Sequence, residues 1–337
     1  MIGERSAVQA GSQSYESLVY SPDIQSVVPI PPSEQGLQTI VAEPWLQISR
    51  RTPGLSQLDN NIILEGPSFD RDGNLLFVEV YGGRVMRVSP DRDASVVVPK
   101  NLHGSAGIGI HKDGRIFVAG VGDIQSGGCV YAVQPDGSGE EFIVAPDKGY
   151  VPDDLVFDGE GGFYFTDYRG NSADPVGGVL YVSPDMKTIT PIISNMSMPN
   201  GIALSPDGKT LWISETGRNL LHRFVLASPT AIAVHGTRIP YHFVGANVDS
   251  MRVDVDGNVY AALFGGGRVL VFNSDGVPIG QVLVPGRDQG RHLYTTSIAI
   301  RPGTSELYIV ASDVDGSNGM IFRCGAFANA LPLYSHR

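Results

Sequence analysis

The chain has 337 residues, of which 42% are hydrophobic and 18% charged, and its formal net charge at pH 7 is −11. This composition is typical of a globular protein with a sizeable core, and the negative charge argues against nucleic acid or an anionic membrane surface as a partner. The two cysteines, Cys129 and Cys324, lie outside any CxxC motif, so the sequence favours a reducing compartment over a disulfide framework.

The first 35 residues are polar with scattered prolines and fit none of the repeats that follow. They lack a basic start followed by an apolar segment, and no run of eighteen apolar residues occurs in the chain, so we expect a cytoplasmic protein without a signal peptide or membrane helix. We expect a tail or extension over residues 1–35 and a single catalytic domain over residues 36–337. Within that domain, residues 37–50 could supply a strand that joins the two chain ends in one sheet.

Six segments share one pattern: an alternating apolar stretch, a turn that contains glycine, a second apolar stretch and usually a glycine-rich turn before a third. A period in the forties, with three or four short strands per unit, is typical of a β-propeller blade. Strands rich in Val, Ile, Phe, Tyr and Leu, joined by tight Asp-Gly turns, agree with this. The sequence therefore predicts an all-β protein, a six-bladed β-propeller. The turn glycines recur every 41 to 49 residues, at Gly73, Gly114, Gly161, Gly208, Gly257 and Gly303.

One position in each repeat lies eight residues before the turn glycine, at the start of the blade's first strand. The six residues at this position are Glu65, Ala106, Asp153, Asn200, Asp249 and Thr295. Because equivalent positions converge on the axis of a propeller, three carboxylates and an amide would share one small volume. Carboxylates do not gather in this way without a compensating cation, so the pattern predicts a central metal site. The alternative is that these residues only cap strand ends through local hydrogen bonds.

The chemistry of the predicted donors favours a hard cation. Ca²⁺ accepts carboxylate, amide and water oxygens with tolerant geometry, and Ser250 adds a hydroxyl next to Asp249. Mg²⁺, Mn²⁺ and Zn²⁺ are possible substitutes, although Zn²⁺ more often recruits His or Cys. A divalent ion beside a carboxyl group of raised pKa can hydrolyse an ester or lactone, because the metal polarises the carbonyl and the carboxyl group moves the proton.

The segments around these positions resemble the metal-site motifs of the gluconolactonase / senescence-marker-protein / luciferin-regenerating-enzyme family. They are Leu64-Glu65-Gly66-Pro67, Asp153-Asp154, Pro199-Asn200-Gly201-Ile202 and Val248-Asp249-Ser250. Other stretches are similar to the lactonase branch of this family: residues 42–46, 110–114, 161–167, 267–273 and 285–288.

The resemblance implies a six-bladed propeller and a Ca²⁺-dependent lactonase that acts on a small-molecule lactone. Carried over residue by residue, the ligands of the catalytic calcium ion are Glu65, Asp153, Asn200, Asp249 and Ser250. The resemblance also implies that Asp249 is the proton donor or general base. In the broader family the position of Asp153 is often Asn, so its extra charge follows the lactonase branch and makes it a second candidate for proton transfer.

The lactonase branch also implies a second, structural calcium ion between two loops, here residues 125–128 and 147–150. Ser126 and Asp147 lie in these loops, but Lys148 takes the place of a hydroxyl ligand. An ammonium group next to a cation is unfavourable, so Lys148 disfavours this second site.

The histidines carry weaker signals. We expect His103 and His111 to be structural, because His111 precedes a turn at the wrong end of its strand for a channel site. His242 and His292 could line a substrate pocket, but no motif surrounds either of them. The absence of a Gly-x-Ser-x-Gly motif removes the usual serine hydrolase.

Other functions stay open at this point. A phosphotriesterase-like hydrolase of the diisopropylfluorophosphatase kind uses a similar site on the same fold, and a calcium-stabilised propeller can act as a binding module without catalysis. A sugar-acid lactonase would differ only in its substrate. Fold alone does not choose among these functions, and the sequence leaves the physiological lactone and the oligomeric state open.

Overall fold

The computed structural model describes residues 28–123 and 127–337, and the regular structure in this part of the chain is almost entirely β-strand. After β1 (Gln38–Val41) and β2 (Glu43–Ile48), the strands form six antiparallel blades in chain order. Blade 1 contains β3 (Leu64–Phe69), β4 (Leu75–Glu79), β5 (Arg84–Val88) and β6 (Ala94–Val98). Blade 2 contains β7 (Ser105–Ile110), β8 (Ile116–Asp123), β9 (Gly127–Val133) and β10 (Glu141–Val144). Blade 3 contains β11 (Pro152–Phe157), β12 (Phe163–Asp167), β13 (Gly177–Val182) and β14 (Ile189–Met196).

The second half of the molecule continues the same order. Blade 4 contains β15 (Pro199–Leu204), β16 (Thr210–Glu215), β17 (Leu220–Ser228) and β18 (Ala231–His242). Blade 5 contains β19 (Asn247–Val253), β20 (Val259–Phe264), β21 (Arg268–Phe272) and β22 (Pro278–Leu283). Blade 6 contains β23 (Tyr294–Ile300), β24 (Glu306–Ser312) and β25 (Gly319–Gly325). The inner strands of neighbouring blades contact one another around a complete ring, since β23 also contacts β3. The predicted six-bladed propeller is therefore confirmed.

The two N-terminal strands close the last two blades. β2 pairs antiparallel with β25 and becomes the outer strand of blade 6, while β1 pairs parallel with β22 at the outer edge of blade 5. Residues 37–50, which the sequence predicted to join the chain ends, thus cover two sheet edges that would otherwise offer unpaired backbone groups.

Apolar side chains fill all six spaces between neighbouring blades. Blade 1 shows how the strand period produces this: Leu75 and Phe77 pack toward blade 6, whereas Leu76 and Val78 pack toward blade 2. Each blade is therefore buried on both faces, which is why its strands are almost continuously apolar. Radial packing of this kind leaves the starts of the inner strands free to carry polar groups at the axis.

The chain before β1 also packs on the propeller. Glu34 is 2% exposed, pairs with Arg268 at 2.5 Å and accepts a hydrogen bond from Tyr241. Residues 1–27 lie outside the described residues, so the predicted division of the chain at residue 35 stays a prediction. In the described part of the chain, no helix has the length and apolar character needed to span a membrane.

Candidate metal centre

The five predicted ligands all lie at the starts of inner strands. Glu65, Asp153 and Asn200 are the second residues of β3, β11 and β15, and Asp249 and Ser250 occupy the same end of β19. In the two remaining blades, the equivalent positions hold Ala106 in β7 and Thr295 in β23. The five predicted ligands thus come from four of the six blades.

A β-bulge lies at or directly after these positions in every blade. The pairing of the inner strand with its neighbour shifts register between Glu65 and Ser68 in blade 1, and at the corresponding place in the other five blades. A bulge turns the strand locally and re-aims its side chains. Close approach of the strands adds a second constraint: a Cβ at Gly201 would lie 2.6 Å from the Cα of Ser250. Glycine next to Asn200 therefore lets blades 4 and 5 meet at the axis.

The three carboxylates are buried together and act on one another electrostatically. Glu65, Asp153 and Asp249 are each 8% exposed. Burial, and then the charges of Asp249 and Asp153, raise the pKa of Glu65 well above its usual value. Burial and the adjacent Asp154 raise the pKa of Asp153 to about 8. Burial and Asp153 raise the pKa of Asp249, while a hydrogen bond with Asn200 works in the opposite direction.

No cationic side chain compensates these three carboxylates. In residues 28–123 and 127–337, neither Glu65 nor Asp153 nor Asp249 forms an ion pair, whereas the neighbouring Asp154 pairs with Arg252 at 2.8 Å. Buried carboxylates without a counter-charge are costly. The arrangement therefore fits a bound cation, whose charge would replace the missing partner.

Neutral oxygens complete the donor set. The Ser250 hydroxyl lies 3.3 Å from Oδ1 of Asn200, and both residues are buried. Within the described residues, no three His, Cys, Asp or Glu side chains converge tightly enough to form a metal site by themselves. A set of carboxylate, amide and hydroxyl oxygens without imidazole or sulfur suits a hard divalent ion such as Ca²⁺.

Asp154 ties three of the ligand-bearing strands together. Its carboxylate accepts hydrogen bonds from the backbone N–H of Leu155 in β11, at 2.9 Å, and of Ile202 in β15, at 3.3 Å. Arg252 in β19 donates to it at 2.8 Å. Asp153 and Asp154 are thus adjacent in sequence but differ in role, since Asp153 belongs to the axial cluster and Asp154 to a network between blades.

A hydroxyl residue followed by an acid ends the second strand of three blades. In blade 3, Thr166 donates to the backbone carbonyl of Asn200 at 2.7 Å, and Asp167 accepts from the N–H of Val151 at 2.9 Å. The other two pairs are Ser214-Glu215 and Ser312-Asp313. In each pair, the carboxylate accepts a hydrogen bond from the loop that precedes the inner strand of the same blade. The hydroxyl group forms a hydrogen bond with the inner strand of the next blade.

The other predicted residues lie outside this cluster. His103 bonds to Glu140 at 3.2 Å, and His111 lies 2.9 Å from Asp113 and packs against aromatic rings. His292 is buried beside Asp313. For the second calcium ion, Ser126 lies outside the described residues and Asp147 is exposed, so that site stays a prediction.

Comparison with known proteins assigns the family. The family model described as SMP-30/Gluconolactonase/LRE-like region matches residues 63–321. The lactonase drp35 of Staphylococcus saprophyticus is 48% identical over 323 residues, which cover 94% of this chain and 97% of that protein. The chain belongs to the SMP-30/gluconolactonase/LRE-like family. Another member, the lactonase drp35 of Staphylococcus aureus strain USA300, is 45% identical over 94% of this chain and 96% of its own.

A solved structure shares this fold. The calcium-binding protein regucalcin of Agrobacterium tumefaciens matches with a TM-score of 0.69 and 18% identity, over 88% of this chain and 99% of that one. At that identity the likeness shows the fold alone.

The sequence of this family member contains little local signal for the residues that support the cluster. Arg252 had no local signal, because its partner Asp154 is 98 residues away in the chain. The hydroxyl-acid pairs did leave a signal. They recur at the end of the second strand in three repeats, and a comparison of the repeats at that position places Ser214-Glu215 and Ser312-Asp313 beside Thr166-Asp167.

Proposed function

We propose that this protein is a lactonase whose activity requires a divalent cation at the axis of the propeller, with Ca²⁺ as the first choice. Glu65, Asp153, Asn200, Asp249 and Ser250 would hold the ion. Mg²⁺, Mn²⁺ and Zn²⁺ are candidates to replace it. The reaction is hydrolysis of the ester bond of a small lactone to a hydroxy acid.

One observation carries the proposal. Three carboxylates are buried at one end of the channel without any cationic partner in the described residues, and burial and repulsion from neighbouring carboxylates raise the pKa of each. The same chain is 48% identical, over 94% of its length, to a protein named as a lactonase. Together these findings support a metal-assisted hydrolase rather than a propeller without chemistry.

The proton transfers fall to the chain's own carboxyl groups. Hydrolysis requires that the attacking water lose a proton and that the ring oxygen gain one as its bond to the carbonyl carbon breaks. A carboxyl group whose pKa lies near the working pH can do both in turn. Asp249 is the first candidate for this role because burial and the neighbouring Asp153 raise its pKa well above the ordinary value of an aspartate.

The bound ion would supply a positive charge that polarises the lactone carbonyl and makes coordinated water more acidic. Asn200 and Ser250 add oxygens without adding charge, so the cluster stays at three carboxylates. The Ser250 hydroxyl is within hydrogen-bonding distance of the Asn200 side chain and can orient its amide. Asp153 is the second candidate for proton transfer, since its pKa is raised to about 8.

The test is hydrolysis of dihydrocoumarin by protein stripped with a chelator, with and without added Ca²⁺. We expect activity to be lost on stripping, restored by Ca²⁺ and absent in Asp249→Ala. Asp91→Ala, which removes an exposed acid, is the matched control and should behave as wild type. Tight Ca²⁺ binding without turnover of any lactone would contradict the proposal, and so would activity that survives complete removal of metal.

A further inference from the structure

A large cavity lies at the opposite end of the molecule from the metal centre. Its volume is about 490 Å³, within the range of about 300–1,000 Å³ typical of small-molecule sites. The last residues of several inner strands line it, among them Phe157, Leu204, Val253 and Ile300. The lining begins two residues beyond the candidate ligands, at Pro67, Leu155 and Ile202, so the cavity lies on the far side of the metal centre along the same strands.

The inner wall of the cavity is apolar apart from one charge. Its lining includes apolar side chains such as those of Ile108, Leu155 and Ile202. Arg252 is the only charged residue that the described inner strands contribute to the lining. A mostly apolar pocket with one placed charge is the usual form of a site for an organic ion.

Arg252 keeps one edge of its guanidinium group free. Its Nη1 donates to Asp154 at 2.8 Å and to the Met251 carbonyl at 2.7 Å. Its Nε and Nη2 have no hydrogen-bond partner within the described residues, and its side chain is 18% exposed. The Nε–Nη2 edge is the edge that a carboxylate can engage with two parallel hydrogen bonds.

The C-terminal segment forms an ordered outer wall. Tyr334 stacks on Phe157 with ring centroids 5.4 Å apart and also packs against His111 at 5.1 Å. Arg71 bonds to the Ser335 carbonyl and to the Lys112 carbonyl, which ties this segment to blades 1 and 2. The cavity therefore has fixed walls on both sides.

Three acidic and three basic residues line the cavity, and two of the acids, Asp158 and Asp207, are engaged in their own turns. Asp158 accepts from the Gly161 N–H at 2.8 Å and from the Tyr181 hydroxyl at 2.7 Å, and Asp207 accepts from the Ser205 hydroxyl at 2.6 Å. The free N–H groups of Arg252 thus make the interior of the cavity favour an anion.

We infer that this cavity binds a small organic carboxylate, with its carboxylate on the Nε–Nη2 edge of Arg252 and its apolar body against the inner strands. This site is independent of the proposed lactonase activity. Its ligand reaches the protein from the face opposite the metal centre.

The test is titration calorimetry of metal-free, full-length protein with octanoate and with its neutral analogue octanamide. We expect octanoate to bind with a Kd below about 1 mM and octanamide to bind at least about tenfold more weakly. Arg252→Gln should weaken octanoate binding at least about tenfold, and Arg252→Lys should lose less. Arg238→Gln, which removes an exposed charge far from the cavity, is the matched control.

A second variant keeps the test decisive if Arg252→Gln does not fold. Leu333→Trp narrows the cavity and leaves Arg252 in place, so it should also abolish octanoate binding. Leu102→Trp adds the same ring at a residue that is 93% exposed and should change nothing. Asp249→Asn, at the metal centre, should bind octanoate as wild type does. The inference is overturned if wild type does not bind octanoate, if octanoate binding survives Arg252→Gln or Leu333→Trp unchanged, or if it is lost in Asp249→Asn.

Discussion

The two aspartates of the axial cluster invite separate tests. An Asp→Asn change keeps the shape and one oxygen but removes the ability to exchange a proton. We expect Asp249→Asn to lower kcat for dihydrocoumarin by about 10²–10⁴ at saturating Ca²⁺, the usual size of general acid-base catalysis. Asp153→Asn should mainly raise the Kd for Ca²⁺, because it removes one of three charges. Kinetics at saturating Ca²⁺ and calorimetric Ca²⁺ titration separate the two effects, and the reverse pattern would assign proton transfer to Asp153.

The raised pKa values also predict how stability depends on pH. The pKa of Asp153 is about 8 in the folded, metal-free chain, above its value near 3.8 in an unfolded one. Such a group binds protons more tightly in the folded state, so the free energy of unfolding falls as pH rises from about 4 to about 8.

We therefore expect the thermal midpoint of the metal-free protein to fall between pH 5.5 and pH 8. Added Ca²⁺ should raise that midpoint more at pH 8 than at pH 5.5, because protons compete with the ion for the carboxylates. Asp153→Asn should flatten the pH dependence. Equal protection by Ca²⁺ at both pH values would contradict this account of the cluster.

At the scale of the strand, hydroxyl groups on neighbouring strands form hydrogen bonds with the backbone of the inner strands. Thr166 accepts from the N–H of Asp154 at 3.1 Å and donates to the Asn200 carbonyl at 2.7 Å, so it links two ligand-bearing strands. Thr166→Val keeps the shape but leaves both backbone groups buried and unsatisfied. We expect it to lower the free energy of unfolding by about 1–3 kcal/mol and to weaken Ca²⁺ binding.

Urea denaturation and Ca²⁺ titration measure the two effects of Thr166→Val. Thr166→Ser retains the hydroxyl and is the control, with wild-type Ca²⁺ affinity expected. If the Val and Ser variants bind Ca²⁺ equally well, the hydroxyl supports the fold but does not position the cluster.

At the scale of the molecule, the propeller depends on the strands that close it. β1 and β2 cover the outer edges of blades 5 and 6, and Trp45 in β2 packs edge-on against Tyr308 at 5.1 Å. A chain that starts at residue 49 would expose both sheet edges. We expect it to aggregate, as judged by size-exclusion chromatography. A chain that starts at residue 28 retains β1, β2 and the Glu34–Arg268 ion pair and serves as the control.

The sequence predicts the fold and most of the candidate cluster because both follow from the internal repeat. Glu65, Asp153, Asn200 and Asp249 share one offset from a turn glycine, and a closed ring of equivalent blades brings equivalent positions together. Periodicity thus converts spacing along the chain into proximity in space. The supporting residues do not follow from that rule, because each bonds to a different blade. The pairing of Asp154 with Arg252 spans 98 residues and only a folded ring creates it.

From its order of residues alone, this chain specified an all-β propeller, its blade number and a set of oxygen donors at the axis, because those features follow from a repeat of short apolar strands and glycine turns. Folding in three dimensions decided the rest: which carboxylates are buried without a counter-charge, which backbone groups the hydroxyls of Thr166 and Ser214 satisfy, and that a cavity with a free guanidinium edge lies beyond the metal centre. Burial and electrostatic coupling depend on neighbours from distant parts of the chain. A local sequence pattern contains no information about those neighbours.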